Sequence, residues 1–95
     1  MGWTVLMIAV RQGRQSLVQR LIDLGADANA ASDLGWTPLM WASLAGREDL
    51  VEALLRAGAE VDFTGPTGDS ALIVAARRGH VAIVDKLLAA REEGP

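Results

Sequence analysis

The stretch GWTPLMWASLAGREDLVEALLRAGAEVD, residues 35–62, indicates the fold because the chain repeats it. Residues 2–29 read GWTVLMIAVRQGRQSLVQRLIDLGADAN, and a third, looser copy starts at residue 68. Gly2, Gly35 and Gly68 are evenly spaced (35 − 2 = 68 − 35 = 33), and Leu21, Leu54 and Leu87 keep the same interval. A fixed period of this length indicates a repeat architecture. The sequence therefore predicts three copies of one structural unit.

The composition favours thin helical layers over one large core. Of the 95 residues, 51% are apolar but only 4% are aromatic, so the core must come from aliphatic side chains. The net charge of −3 is too small to indicate steering toward nucleic acid or a membrane surface. The absence of cysteine excludes a disulfide framework and a cysteine zinc site.

The expected location is cytoplasmic or nuclear. No apolar run approaches the ~20 residues that span a bilayer. In the first residues the charge follows the apolar run, the reverse of a secretory signal. We therefore expect neither a membrane partner nor a secretion signal.

The middle copy reads as two short helices. Thr37 can cap the first helix, and Pro38 suits its first position because no amide is needed there. Gly46 ends that helix, and the acidic pair Glu48 and Asp49 starts the next one at the positive end of its dipole. The stretches between copies are rich in Gly, Asp, Ser and Pro, which predicts projecting turns. Two short helices cannot cover their own apolar side, so neighbouring copies must stack.

The motifs in this unit resemble the ankyrin repeat: a T-P-L helix start, a glycine turn, a V-x-x-L-L helix and a G-A-x-V-D ending. The resemblance covers nearly the whole chain. It implies an all-α repeat fold, an α-solenoid of three helix-turn-helix units with projecting β-hairpin-like turns. It also implies a single ankyrin domain over 1–95, with repeats 2–34, 35–67 and 68–95.

The chain departs from the family pattern at two kinds of position. The histidine that follows T-P-L in the family, and that braces neighbouring loops, is replaced by Met7, Met40 and Ile73. Loop bracing is therefore expected to be weaker or apolar. The glycine that should end the last helix is Arg91, so that helix is predicted to continue, as in a terminal capping repeat.

The sequence contains no constellation that indicates catalysis, and we expect no enzyme, cofactor or metal site. His80 is the only histidine, and a structural bond to a nearby turn explains it better than a general base. The serines have no partner that would activate them. Adjacent carboxylates point to different parts of a helix surface, so they do not form an acid–base pair.

The resemblance places binding on the turn tips and first helices. The family positions, carried over to this sequence, are Trp3, Arg11 and Gln12; Leu34, Trp36, Leu44 and Ala45; and Thr67, Asp69, Arg77 and Arg78. Trp3 and Trp36 share one slot, which predicts either a contact ridge or a cover over the neighbouring turn. Trp41 occupies an aliphatic slot, where packing between layers is the better interpretation. Asn29 matches the target of asparaginyl hydroxylases in ankyrin proteins, although bracing of its turn is the simpler interpretation.

The predicted function is a non-catalytic protein–protein interaction module that binds a protein or peptide of mixed or acidic character. Nucleic acid is not expected, because the acidic turns would face the phosphates. One alternative is a minimal or engineered ankyrin scaffold, or a fragment of a larger array, that self-associates end to end through uncapped repeats. A second alternative is a nucleotide or other planar molecule stacked between Trp36 and Trp41.

Overall fold

Six short helices follow one another along the chain, and the part that the structure describes contains no strand. The structure is a computed structural model that describes residues 4–93. The helices are α1 (Val5–Arg11), α2 (Gln15–Asp23), α3 (Pro38–Ala45), α4 (Glu48–Arg56), α5 (Ala71–Arg77) and α6 (Val81–Glu93). They form three successive pairs, which we call the first, second and third repeats. The predicted all-α repeat fold is confirmed. Within 4–93 no helix is both long and apolar enough to cross a membrane.

The first helix of each repeat starts at the predicted capping residue. The hydroxyl oxygens of Thr4, Thr37 and Ser70 each accept a hydrogen bond from the backbone N–H three residues later, at 3.1, 3.3 and 3.2 Å. Each bond satisfies an amide that the helix itself leaves free. In the second repeat the Met40 sulfur also accepts the Thr37 N–H, at 3.5 Å. The methionine that replaces the family histidine therefore acts within its own helix start.

Glycines end the first helices, and the last helix runs on as predicted. Gly46 caps α3 in the left-handed conformation, with φ of 71°, which side chains rarely tolerate. The chain then turns back within three residues to begin α4. At the far end, α6 passes Arg91 and reaches Glu93, whereas α4 ends at Arg56. Replacing the slot's glycine by arginine therefore extends the last helix.

The three pairs stack in a row. Helix α3 packs between α1 and α5, and α4 packs between α2 and α6. In α4 the side chains of Leu50, Val51 and Leu54 are fully buried, whereas Leu17 and Leu21, in the slots of Leu50 and Leu54, are only half-buried. Neighbouring repeats thus supply the burial that one pair lacks, which is the physical reason for the repetition. The repeat limits at 34 and 67 and the 1–95 domain remain predictions.

Candidate functional site

The turns between repeats share one backbone geometry. Ser32 N–H donates to the Trp36 carbonyl at 2.8 Å, and Gly35 N–H donates to the Ser32 carbonyl at 2.8 Å. The next turn repeats this pattern, with Gly65 N–H bound to the Asp69 carbonyl at 3.1 Å and Gly68 N–H to the Gly65 carbonyl at 2.9 Å. Two bonds close each turn but form no strand, so the β-hairpin detail of the prediction is not confirmed. The shared geometry places Trp36 and Asp69 at equivalent points beside the helix starts.

Successive turns pack directly on each other. A Cβ atom added to Gly35 would lie only 2.3 Å from Cδ of Pro66, and one added to Gly65 would lie 2.7 Å from the Gly35 carbonyl oxygen. Only glycine permits this approach of one turn to the next. The two turns are therefore in direct van der Waals contact.

An aromatic cluster lies where the second repeat meets the first. The rings of Trp36 and Trp41 have centroids 4.8 Å apart and are tilted by 50°. The guanidinium carbon of Arg11, from the first repeat, lies 5.2 Å from the Trp41 ring centroid, within the range of a cation–π contact. Both indoles are half-buried and pack against the core, so each keeps part of its surface accessible. We call Arg11, Trp36 and Trp41 the tryptophan cluster.

The tryptophan cluster excludes a planar ligand between its rings. A molecule stacked on both indoles would need about 7 Å between them, since carbon atoms in contact are about 3.5 Å apart. The observed 4.8 Å separation leaves no such gap. The alternative of a nucleotide held between Trp36 and Trp41 is therefore wrong for this arrangement.

A polar cluster occupies the equivalent region of the third repeat. Asp69 accepts from Arg77 Nη2 at 2.9 Å and from the Thr67 hydroxyl at 3.3 Å. The Arg77 hydrogen bond is the main cause that lowers the pKa of Asp69 below its ordinary value. The guanidinium remains exposed, so it can still bind a further acceptor. We call Thr67, Asp69 and Arg77 the polar cluster.

The other predicted residues that the structure describes lie on the same turns and first helices, outside the two clusters. Trp3 lies outside the described residues. Leu34 is 69% exposed on its turn, and Leu44 is half-buried on α3. Gln12, Ala45 and Arg78 are exposed at the ends of the first helices. The turns and first helices that carry all these side chains are called the turn–helix surface below.

Some candidate residues brace the stack instead of facing outward. Arg47 Nη1 donates to the Gly13 carbonyl at 3.0 Å, while its Nε and Nη2 hold Asp49. His80 Nε2 lies 3.3 Å from the Leu44 carbonyl oxygen, which agrees with a structural role. The brace at Arg47 was not predicted. The sequence did contain an indication of it, because the equivalent residues of the three repeats are Arg14, Arg47 and His80. All three side chains can donate a hydrogen bond.

Asn29 joins the first repeat to the second. Its Nδ2 donates to the Gly58 carbonyl at 3.0 Å, and its Oδ1 accepts the Glu60 N–H at 2.7 Å. Its own N–H donates to an Asp27 carboxylate oxygen at 2.8 Å. The bracing reaches the end of the next repeat, beyond the local turn that was expected. Hydroxylation of Asn29 stays a prediction.

The acidic and histidine side chains of the described residues are dispersed over the surface. Within residues 4–93 no three His, Asp or Glu side chains come together as a metal-binding group. The charged groups of the turn–helix surface are paired or exposed, which suits reversible contact with another molecule.

Comparison with known families agrees with the stacked geometry. The family model described as "Ankyrin repeats (3 copies)" matches residues 1–65, and the one described as "Ankyrin repeat" matches residues 67–93. The chain belongs to the ankyrin repeat family. Ankyrin repeats are generally protein–protein interaction modules and typically lack catalytic activity. A search of curated proteins finds no match.

Proposed function

We propose that this ankyrin domain binds a protein or peptide segment on its turn–helix surface. The observation that carries the proposal is the pairing of the two clusters on equivalent parts of successive repeats. The tryptophan cluster offers apolar area with a cation beside it. The polar cluster offers an exposed guanidinium held in place by Asp69.

The chemistry of these clusters defines the partner. Tryptophan and arginine are the residue types that most often dominate binding energy at protein interfaces. An aromatic or aliphatic side chain of the partner would lie against the edge of Trp36. An acidic side chain would meet Arg77 or its exposed neighbour Arg78. A partner of mixed apolar and acidic character therefore fits best.

Binding should cost little conformational entropy because the stack already holds the side chains of the surface in place. Trp36 and Trp41 are held against the core, and Arg77 is held by an ion pair. Little side-chain freedom remains to be lost when a partner binds. In this mechanism the domain holds its side chains in position for the partner, and no covalent bond forms or breaks.

The test is selection from a displayed random-peptide library on the whole chain, followed by affinity measurements on variants. Trp36→Ala should weaken the selected peptides by about 2 kcal/mol, the scale of an interface hot spot. Arg77→Ala should weaken the acidic ones, and the double variant should abolish detectable binding. Arg56→Ala is the matched control, because Arg56 is exposed at the end of α4, away from this surface. Unchanged affinity in the double variant would reject the turn–helix surface.

A further inference from the structure

The α1–α2 end of the stack exposes side chains whose equivalents are buried in the third repeat. Ile8 is 43% exposed, but Val74 in the same slot is 1% exposed. Val5 is 63% exposed, but Ala71 in its slot is 2% exposed. Side chains at these two repeat positions are buried only when a preceding repeat packs against them in the stack. We call this end of the molecule the leading face.

The α5–α6 end shows the opposite pattern. Met7 and Met40 are 0% and 1% exposed, whereas Ile73 in the same slot is 42% exposed. Leu88 on α6 is 41% exposed. The Met7 slot is buried only where another repeat follows. We call this end the trailing face. Between neighbouring repeats of the stack, the apolar side chains of such a face are covered by the leading face of the next repeat.

The contacts between internal repeats show how a trailing face binds a leading face. Lys86 of the third repeat forms an ion pair with Glu52 of the second. Arg47 of the second repeat donates to the Gly13 carbonyl of the first. In both contacts a basic side chain on the leading face of one repeat binds an oxygen atom of the preceding repeat.

The repeat period predicts the same contacts for residues of the first and third repeats. Arg20 occupies the slot of Lys86 (86 − 66 = 20), and Asp85 occupies the slot of Glu52 (52 + 33 = 85). Both are exposed, and neither forms an ion pair with another residue of 4–93. Arg14, in the slot of Arg47, is also exposed. At the contact between the first and second repeats, Gln19 corresponds to Glu52 and Ala53 corresponds to Lys86. These two residues are uncharged, so they cannot form the ion pair that joins the second and third repeats.

The charges of the two faces are complementary. On the leading face, Arg14, Leu17 and Arg20 line an open groove. A second groove lies at the end of α6, where Leu88 and Glu92 meet Arg91 and its ion-pair partner Asp62 of the second repeat. One groove is therefore basic and apolar, and the other is acidic and apolar.

We propose that a second copy of this chain docks head to tail, with its leading face on the trailing face of the first copy. Arg20 of the second copy then pairs with Asp85 of the first, and Arg14 donates to the Gly79 carbonyl. Ile8 and Ile73 are covered in the same contact. Such a contact is heterologous and leaves a free face at each end, so assemblies grow beyond the dimer.

Sedimentation of the whole chain tests the proposal across concentrations from about 10 µM to about 1 mM, where weak interfaces associate. The average mass should rise steadily without settling at two copies. Arg20→Glu and Asp85→Arg each place like charges opposite one another, so each alone should weaken association by about tenfold or more. An equal mixture of these two variants restores opposite charges at every contact between unlike copies, so the mixture should associate about tenfold or more better than either variant alone. Arg56→Glu and Glu60→Arg are matched charge reversals away from both faces and should leave association unchanged.

Three results would overturn head-to-tail docking. One is a single-chain mass at every concentration; another is a dimer that grows no further. The third is a mixture that associates no better than either variant alone while circular dichroism shows both to be folded. The proposal does not depend on the peptide-binding function. Peptide affinity is measured on the turn–helix surface and association at the ends, so either can fail without the other.

Discussion

Arg47 Nη1 donates a hydrogen bond to the carbonyl oxygen of Gly13 at 3.0 Å, joining the second repeat to the first. The same guanidinium holds both carboxylate oxygens of Asp49 at 3.1 and 2.8 Å, which fixes its orientation. His80 makes the corresponding contact one repeat later, with the carbonyl of Leu44. Repeats are therefore held together by polar braces as well as by apolar burial.

Arg47→Ala should lower the free energy of unfolding by about 1–2 kcal/mol, because a charged donor to a partly buried carbonyl is lost. Urea unfolding followed by circular dichroism measures this change. Arg56→Ala is the control and should cost less than about 0.5 kcal/mol, as is usual for an exposed surface substitution. Equal effects of the two substitutions would show that the bond to Gly13 contributes nothing.

Gly46→Ala should destabilise the fold more than Gly58→Ala does. Both glycines have positive φ, 71° and 91°, so both substitutions carry the left-handed backbone cost of about 1–2 kcal/mol. Only at Gly46 would the new Cβ also meet a side chain, at 2.7 Å from the His80 ring, whereas nothing lies within 4 Å at Gly58. Thermal unfolding of both variants measures the difference. Adding His80→Ala to Gly46→Ala should remove the excess, and a persistent excess would contradict the contact.

Asn29→Ala should lower the free energy of unfolding by about 1–2 kcal/mol through the loss of two hydrogen bonds to the second repeat. The Glu60 amide loses its acceptor, so its hydrogen exchange should accelerate more than that of other amides in the same turn. Asp62→Ala changes the equivalent slot of the next repeat and serves as the control. Unchanged protection of the Glu60 amide would contradict the bracing role.

Stability should fall in acid partly through Asp49. The hydrogen bonds from Arg47 are the main cause that lowers the pKa of this carboxyl below its ordinary 3.8. A lowered native pKa stabilises the fold above 3.8 and loses that contribution as pH falls through the native value. Asp49→Asn should therefore reduce stability at pH 7 and flatten its decline below pH 3.8. Urea midpoints for variant and wild type at pH 7 and at successive lower pH values test this, and parallel curves would contradict it.

The sequence predicted the helix order because short-range chemistry determines it. Thr37 and Ser70 cap helices through bonds to residues three positions away, and Gly46 ends one through its own backbone freedom. Arg91 extends the last helix for the same local reason. The period then predicted the linear stack, since each repeat needs neighbours to bury its apolar side.

The detailed contacts of the site depend on how repeats are aligned in space, which a single sequence shows poorly. The Trp36–Trp41 contact joins two residues that the sequence assigned to different roles. Arg77 was predicted only as a residue of the binding surface, and the sequence did not indicate its ion pair with Asp69. Arg47 had no predicted role, yet it donates to a carbonyl in another repeat. Each of these contacts depends on a side-chain direction that residue type alone does not determine.

The central claim, that the turn–helix surface binds a peptide, is tested most directly by NMR. The whole chain, labelled with ¹⁵N, would be titrated with a peptide selected from the displayed library. We predict that the amide and indole shifts will change at Trp36, Trp41, Asp69 and Arg77. The outward parts of α2 and α4, including Arg56, should stay unchanged. Shifts confined to α2, α4 and α6, with the Trp36 and Trp41 indole signals unmoved, would contradict the claim.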